Sequence, residues 1–128
     1  MIVVDSSVLV AIALHEPERE ALRLRIGLED TCFVSAASLV ETAMVVEGRR
    51  GPVGRAVLDE LLDRLRIEIV PFDRAQAEVA RDAFRRYGKG RHPAGLDFGD
   101  CLAYGLAKAL GLPLLHKGTD FAGTDLPA

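Results

Sequence analysis

Short β-branched runs, separated by helix-length stretches, leave this chain little choice of architecture. Ile2-Val3-Val4, Thr31 to Val34, Ile67-Glu68-Ile69-Val70 and Leu114-Leu115 have the length and composition of strands. Val8 to Leu14 starts a helix for which Ser6 and Ser7 offer a hydroxyl cap. Pro17 suits the first turn of a second helix, which Gly27 stops. A third runs from about Ser38 to Glu47 and ends in Gly48-Arg49-Arg50-Gly51-Pro52. A fourth, Val53 to Leu65, sets Val57, Leu58, Leu61, Leu62 and Leu65 on one wide apolar face. Asp73 and Gln76 read as a capping box for a fifth, whose inner stripe is Val79, Ala80, Ala83, Phe84 and Tyr87 before Gly88 ends it. Lys89 to Leu96 is glycine-rich and carries no secondary-structure signal. Asp97 caps a sixth helix, running to about Leu110, and a turn-rich tail follows from Gly118. Strands alternating with helices predict a three-layer α/β/α domain around a central parallel sheet.

A chain of 128 residues fits one domain, 1–128, and 49% apolar residues can fill a core. The formal charge of −3 argues against nucleic-acid binding by bulk charge, though not against a local basic surface. Cys32 and Cys101 have no metal-ligand spacing and read as buried, reduced thiols. No secretory signal precedes Asp5, and Val8 to Leu14 is far short of the ~20 residues that span a bilayer. The expectation is a soluble cytoplasmic protein with no membrane association.

Four acids stand where an apolar element starts or stops. Asp5 ends the first strand, and Glu41 lies within Leu39-Val40-Glu41-Thr42-Ala43-Met44-Val45-Val46. Asp100 opens Asp100-Cys101-Leu102-Ala103-Tyr104, and Asp120 follows the last strand and its Gly118 turn. Each has a bland explanation alone. Asp5 could cap a helix, Ser38-Leu39-Val40-Glu41 matches a capping box, Asp100 suits a first helical turn, and Asp120 suits a turn. Together they share one position in the fold, because sites in open parallel sheets form beyond the carboxyl ends of the strands. Embedded carboxylates without matched cations cost several kcal/mol each, and a bound divalent ion removes that cost. The chemistry this suits is metal-assisted phosphodiester hydrolysis with Mg²⁺ or Mn²⁺. Ser6 and Ser7 lack a nucleophile-elbow setting, and neither cysteine has a histidine partner. An aspartyl-phosphate enzyme would need a second acid where Ser7 stands. A binding module that performs no chemistry is the alternative reading.

The pieces Val3-Val4-Asp5-Ser6-Ser7, Ser35 to Glu41, Leu96-Asp97-Phe98-Gly99-Asp100-Cys101-Leu102-Ala103-Tyr104 and Leu115-His116-Lys117-Gly118-Thr119-Asp120-Phe121 carry a family likeness. In this order they resemble the PIN-domain nucleases, specifically the VapC-type toxins of toxin–antitoxin pairs. The resemblance implies a PIN fold, Mg²⁺-dependent endoribonuclease activity, inhibition by a cognate VapB-type antitoxin, and a homodimer. It places Asp5, Glu41, Asp100 and Asp120 on the family's acidic, metal-binding positions and Ser6 on its small hydroxyl position. Asp97 departs from it, standing where these toxins commonly carry Asn, and reads as a helix cap.

An acidic site must still attract RNA. Arg49, Arg50 and Arg55 surround one glycine-rich loop, while Arg81, Arg85, Arg86, Lys89 and Arg91 lead into another. Arg49, Arg50, Arg85, Arg86, Lys89 and Arg91 are the candidate phosphate contacts. Gly88, Gly90 and Gly95 would let the second loop adapt. Most aromatics look like core, so recognition should rest on RNA shape more than on base stacking. Lys117 reads as a surface lysine. The wide apolar face of Val53 to Leu65 is the candidate wall of an antitoxin groove.

Overall fold

A computed structural model describes residues 1–127. Its elements, in chain order, are β1 (Ile2–Val4), α1 (Ser6–Ala13), α2 (Arg19–Gly27), β2 (Cys32–Ser35), α3 (Ala36–Arg50), α4 (Pro52–Arg64), β3 (Ile67–Val70), α5 (Arg74–Tyr87), α6 (Phe98–Leu110) and β4 (Leu114–Leu115). The four strands form one sheet in the order β3-β2-β1-β4, and every pairing is parallel. Among the described residues, no helix is long and apolar enough to cross a membrane.

The two-residue period of a strand sorts side chains into two cores. Ile2 and Val4 join Val8, Leu9, Ile12, Cys32, Val34, Leu58 and Leu62 on the face covered by α1, α2 and α4. Val3 faces the other way, into Ala80, Ala83, Leu96, Tyr104 and Leu106 under α5 and α6. All of β1 is buried, and each such aliphatic contributes roughly 1.5–3 kcal/mol, so the strand is secured from both sides. The three-layer α/β/α expectation holds. Both cysteines are free and buried, and burial pushes the Cys101 thiol up to about 11.

Several boundaries differ from the sequence reading, each for a local reason. α3 begins at Ala36 because the Ser35 hydroxyl caps it, accepting from the Ala37 N–H at 3.2 Å. Ser38 therefore sits inside the helix, and the Ser38–Glu41 capping box does not form. The helix also passes through Gly48 and breaks only at Gly51, whose φ of +67° suits glycine. Asp73 caps α5 as expected, but Gln76 donates its amide to the Pro71 carbonyl at 2.9 Å and leaves the box half made. The loop after α5 is ordered: the Lys89 N–H donates to the Leu96 carbonyl and the Leu96 N–H to the Tyr87 carbonyl, both at 2.9 Å. Leu96 is wholly buried, which limits how far this loop can adapt.

α4 turns Leu58 and Leu62 into the core and packs Leu61 against it, while Val53 stays exposed and Val57 and Leu61 line a cavity of about 260 Å³. A larger, more apolar groove lies elsewhere. It runs between α3, α5 and α6, occupies about 620 Å³, and is lined by Ala37, Phe72, Ala80, Phe84, Phe98 and Leu102. Phe98 is 77% exposed and Phe84 40%, the latter against its expected place on the inner stripe of α5.

Candidate active site

Asp5 follows β1 directly, where its backbone N–H donates to the Leu115 carbonyl of β4 at 2.9 Å. Its side chain caps α1: Oδ2 accepts from the Ser7 N–H at 3.1 Å, so the acid itself, and no hydroxyl, starts that helix. Oδ1 is buried without a partner. Glu41 projects from the second turn of α3, and its Oε1 accepts from the Ser6 hydroxyl at 2.8 Å. Ser6 thus joins the site by orienting a carboxylate. Asp97 and Asp100 form a reciprocal capping box at the start of α6, with bonds of 2.9 and 3.1 Å. Asp97 is exposed and acts as the cap; Asp100 is buried.

The segment bearing Asp120 is held at both ends. The Lys117 N–H donates to the Ser7 hydroxyl at 3.0 Å, and Asp125 accepts from the Tyr104 hydroxyl at 2.5 Å and pairs with Lys108 at 2.9 Å. Asp120 itself is exposed. The Lys117 ammonium pairs with Glu16 at 2.6 Å and Glu18 at 3.4 Å, consistent with a surface role.

The electrostatics link these acids. Burial pushes the Asp5 carboxyl up against the Ser7 bond that lowers it, and Glu41 adds to the rise while His116 offsets part. Asp100 is pushed up to about 7, first by burial and then by the charges of Asp97, Asp5 and Asp120, with the Asp97 bond opposing. Among the described residues, no Lys, Arg or His lies within ion-pair distance of the four acids.

The donor set and the unpartnered Asp5 oxygen fit a hard divalent cation. Among the described residues, no three His, Cys, Asp or Glu side chains already close into one ligand shell.

A pH dependence follows for the ion-free chain. The folded Asp100 value, about 7, lies above the ordinary 3.8. The stability this group contributes is therefore complete below pH 3.8 and gone once the pH has risen past about 7. Asp5 shifts in the same direction. In EDTA, Asp100→Asn should gain thermal stability relative to the native chain as the pH is raised from about 5 to about 8. A native-to-variant gap in Tm that stays constant across that range would contradict the burial of Asp100.

Two residues beside these acids were given no role from the sequence, although both fall in the stretches that carry the family likeness. Gly99 lies beneath the Glu41 carboxylate, and His116 has a buried Nδ1 without a partner and a ring 4.8 Å from that of Phe121. A capping or turn motif marks neither position. The candidate RNA contacts are mixed. Arg49 and Arg50 are exposed at the end of α3, and Lys89 is exposed after α5. Arg85 is paired with Asp82 at 3.1 Å, Arg86 bonds the Tyr87 hydroxyl at 2.8 Å, and Arg91 lies 5.5 Å over the Phe84 ring.

Both the sequence and the fold have known counterparts. The PIN domain model matches residues 2–126. The VapC ribonuclease Mb0640 of Mycobacterium bovis is 47% identical over 124 residues, covering 97% of this chain and 95% of that protein. Ribonuclease VapC of Mycolicibacterium smegmatis is 48% identical over 126 residues, covering 98% of each. Among solved structures, VapC20 of Mycobacterium tuberculosis, a sarcin–ricin loop cleaving toxin, superposes with a TM-score of 0.77 at 20% identity, covering 99% and 97% of the two chains. VapBC2 of Rickettsia felis, solved with a fragment of its promoter DNA, gives 0.71 at 18% identity, covering 95% and 92%. The match across nearly the whole chain settles the family: the chain belongs to the PIN-domain proteins, alongside the VapC ribonucleases.

Proposed function

We propose that the chain is the toxin of a type II toxin–antitoxin pair: a cytoplasmic, Mg²⁺- or Mn²⁺-dependent endoribonuclease. The observation that carries this is that Asp5 and Asp100 are both buried carboxylates, with one Asp5 oxygen lacking any partner and, among the described residues, no Lys, Arg or His within ion-pair distance. Asp5, Glu41, Asp100 and Asp120 would hold the metal. When bound, such an ion lowers the pKa of water and offsets the charge that develops on a phosphodiester. The protein's own contribution is orientation. Ser6 holds Glu41, the α1 cap holds Asp5, and the α6 capping box holds Asp100. Arg49, Arg50, Arg85, Arg86, Lys89 and Arg91 supply phosphate contacts, those with acidic partners by exchanging them for the backbone.

The partner in this reading is a VapB-type antitoxin whose amphipathic segment lies in an apolar groove. The groove between α3, α5 and α6 fits that role better than α4, because Phe98 and Phe84 remain open to it. Exposed Val40 and Met44 on α3 are available to a homodimer contact.

Incubating total cellular RNA with the purified, antitoxin-free chain tests the proposal, with Mg²⁺ or Mn²⁺ set against EDTA and Asp100→Ala run in parallel. Discrete fragments that need both the metal and the native acid are expected, and mapping their ends identifies the target. No cleavage with either metal, from a folded chain, favours a binding module without catalysis.

A further inference from the structure

Gly99, the second residue of α6, is buried, and what fills the space of its missing side chain is the Glu41 carboxylate. A β-carbon at position 99 would stand 2.7 Å from both Cδ and Oε1 of Glu41, and nearer still to Oε2. These three atoms are the nearest to it, so the obstacle is the tip of a flexible side chain, with backbone farther off. On its other side the same carboxylate accepts the Ser6 hydroxyl at 2.8 Å. Glu41 is thereby held between the first residue of α1 and the first turn of α6. Helix energetics alone would favour alanine over glycine here, by up to about 1 kcal/mol. A carboxylate beside the first turn also meets the positive end of the α6 dipole.

We propose that Gly99 is a positioning residue, whose missing side chain sets where the Glu41 carboxylate lies and so shapes the acidic site. The inference rests on the metal-site reading above and adds to it a residue that touches neither ion nor RNA. It also makes a directional claim. A methyl group at position 99 displaces the carboxylate without disturbing the core, and shortening residue 41 by one carbon–carbon bond, ~1.5 Å, makes room again.

The test is a double-mutant cycle of Gly99→Ala and Glu41→Asp, read by Mn²⁺ titration calorimetry, by RNA cleavage, and by Tm in EDTA. Gly99→Ala should keep the native Tm and weaken Mn²⁺ binding about tenfold, the scale seen when residues that orient metal ligands are altered. Glu41→Asp alone should also weaken binding, by drawing the carboxylate back from its place. In the Gly99→Ala background, Glu41→Asp should instead strengthen it, so that the two changes are strongly non-additive. Native Mn²⁺ affinity in Gly99→Ala overturns the role of Gly99, as do two losses that simply add. A collapse of Tm in Gly99→Ala overturns it too, since only the tip of Glu41 stands in the way. A native chain that takes up no Mn²⁺ is a separate result, visible before any variant is made. It removes the metal reading and this inference with it.

Discussion

Asp5→Asn and Asp100→Asn should each lower metal-dependent RNA cleavage roughly 10³-fold, while the chain stays folded. Asparagine keeps one oxygen, so the Ser7 N–H that Asp5 accepts and the Asp97 N–H that Asp100 accepts can both remain satisfied. What is lost is negative charge at two positions where burial already opposes it. The ion then has fewer anionic oxygens to bind, and the phosphodiester meets a weaker electrostatic partner. The same substitutions should raise Tm in EDTA, because each removes a desolvated carboxylate. Activity and stability thus move in opposite directions, as expected where a strained site serves function. Initial cleavage rates at saturating Mn²⁺, with Tm recorded in chelator, check both halves. A variant retaining a tenth of native activity would remove that acid from the proposed site.

Gly105→Leu should cost about 3 kcal/mol and lower Tm by roughly 10 °C. Gly105 is buried where α6 crosses α5, and a β-carbon there would stand 2.8 Å from the Gln76 carbonyl and 3.5 Å from the Ala80 β-carbon. The Gln76 carbonyl is backbone and cannot swing aside, in contrast to the Glu41 tip that faces Gly99. Parting the two helices would also disturb Leu106 and Tyr104, both buried in the core beneath them. Calorimetry and urea midpoints measure the loss. A Tm within a couple of degrees of native would mean that α5 and α6 are less closely packed than described.

Much of the arrangement was legible because the relevant physics is local. The unbroken β-branched run Ile2-Val3-Val4 announced a strand buried on both faces, and Asp97 announced the cap of α6. Asp5 and Asp100 do stand at element ends, whereas Glu41, expected at one, lies in the second turn of α3. What failed were features decided by neighbours distant in sequence. Ser38 looked like a cap because nothing local revealed that Ser35, still within β2, would take that role. The breadth of α4's apolar face could not say whether sheet or solvent lay opposite. Phe98 opens an apolar helix but points outward, since capping fixes the helix start and not its facing. Gly99 has meaning only once Glu41 arrives from another helix. By contrast, the pairing of Arg81 with Glu78 and Arg85 with Asp82 was open to a closer reading, because both follow the three-residue spacing of a helix face.

The strand order β3-β2-β1-β4 has a consequence for the life of the molecule during synthesis. β1 leaves the ribosome first, yet it lies between β2 and β4, and Val3 and Val4 pair with Leu114 and Leu115. Asp5 is the first of the four acids to be translated, but its backbone anchor, the Leu115 carbonyl, is made only after β2, β3 and all six helices. Such long-range pairing is slow and cannot be completed early. An incomplete polypeptide, halted anywhere before β4, therefore lacks Asp120 and the backbone anchor of Asp5, and the proposed site is unfinished. For a chain proposed to destroy RNA, this topology would spare the translating ribosome from a nuclease still under construction.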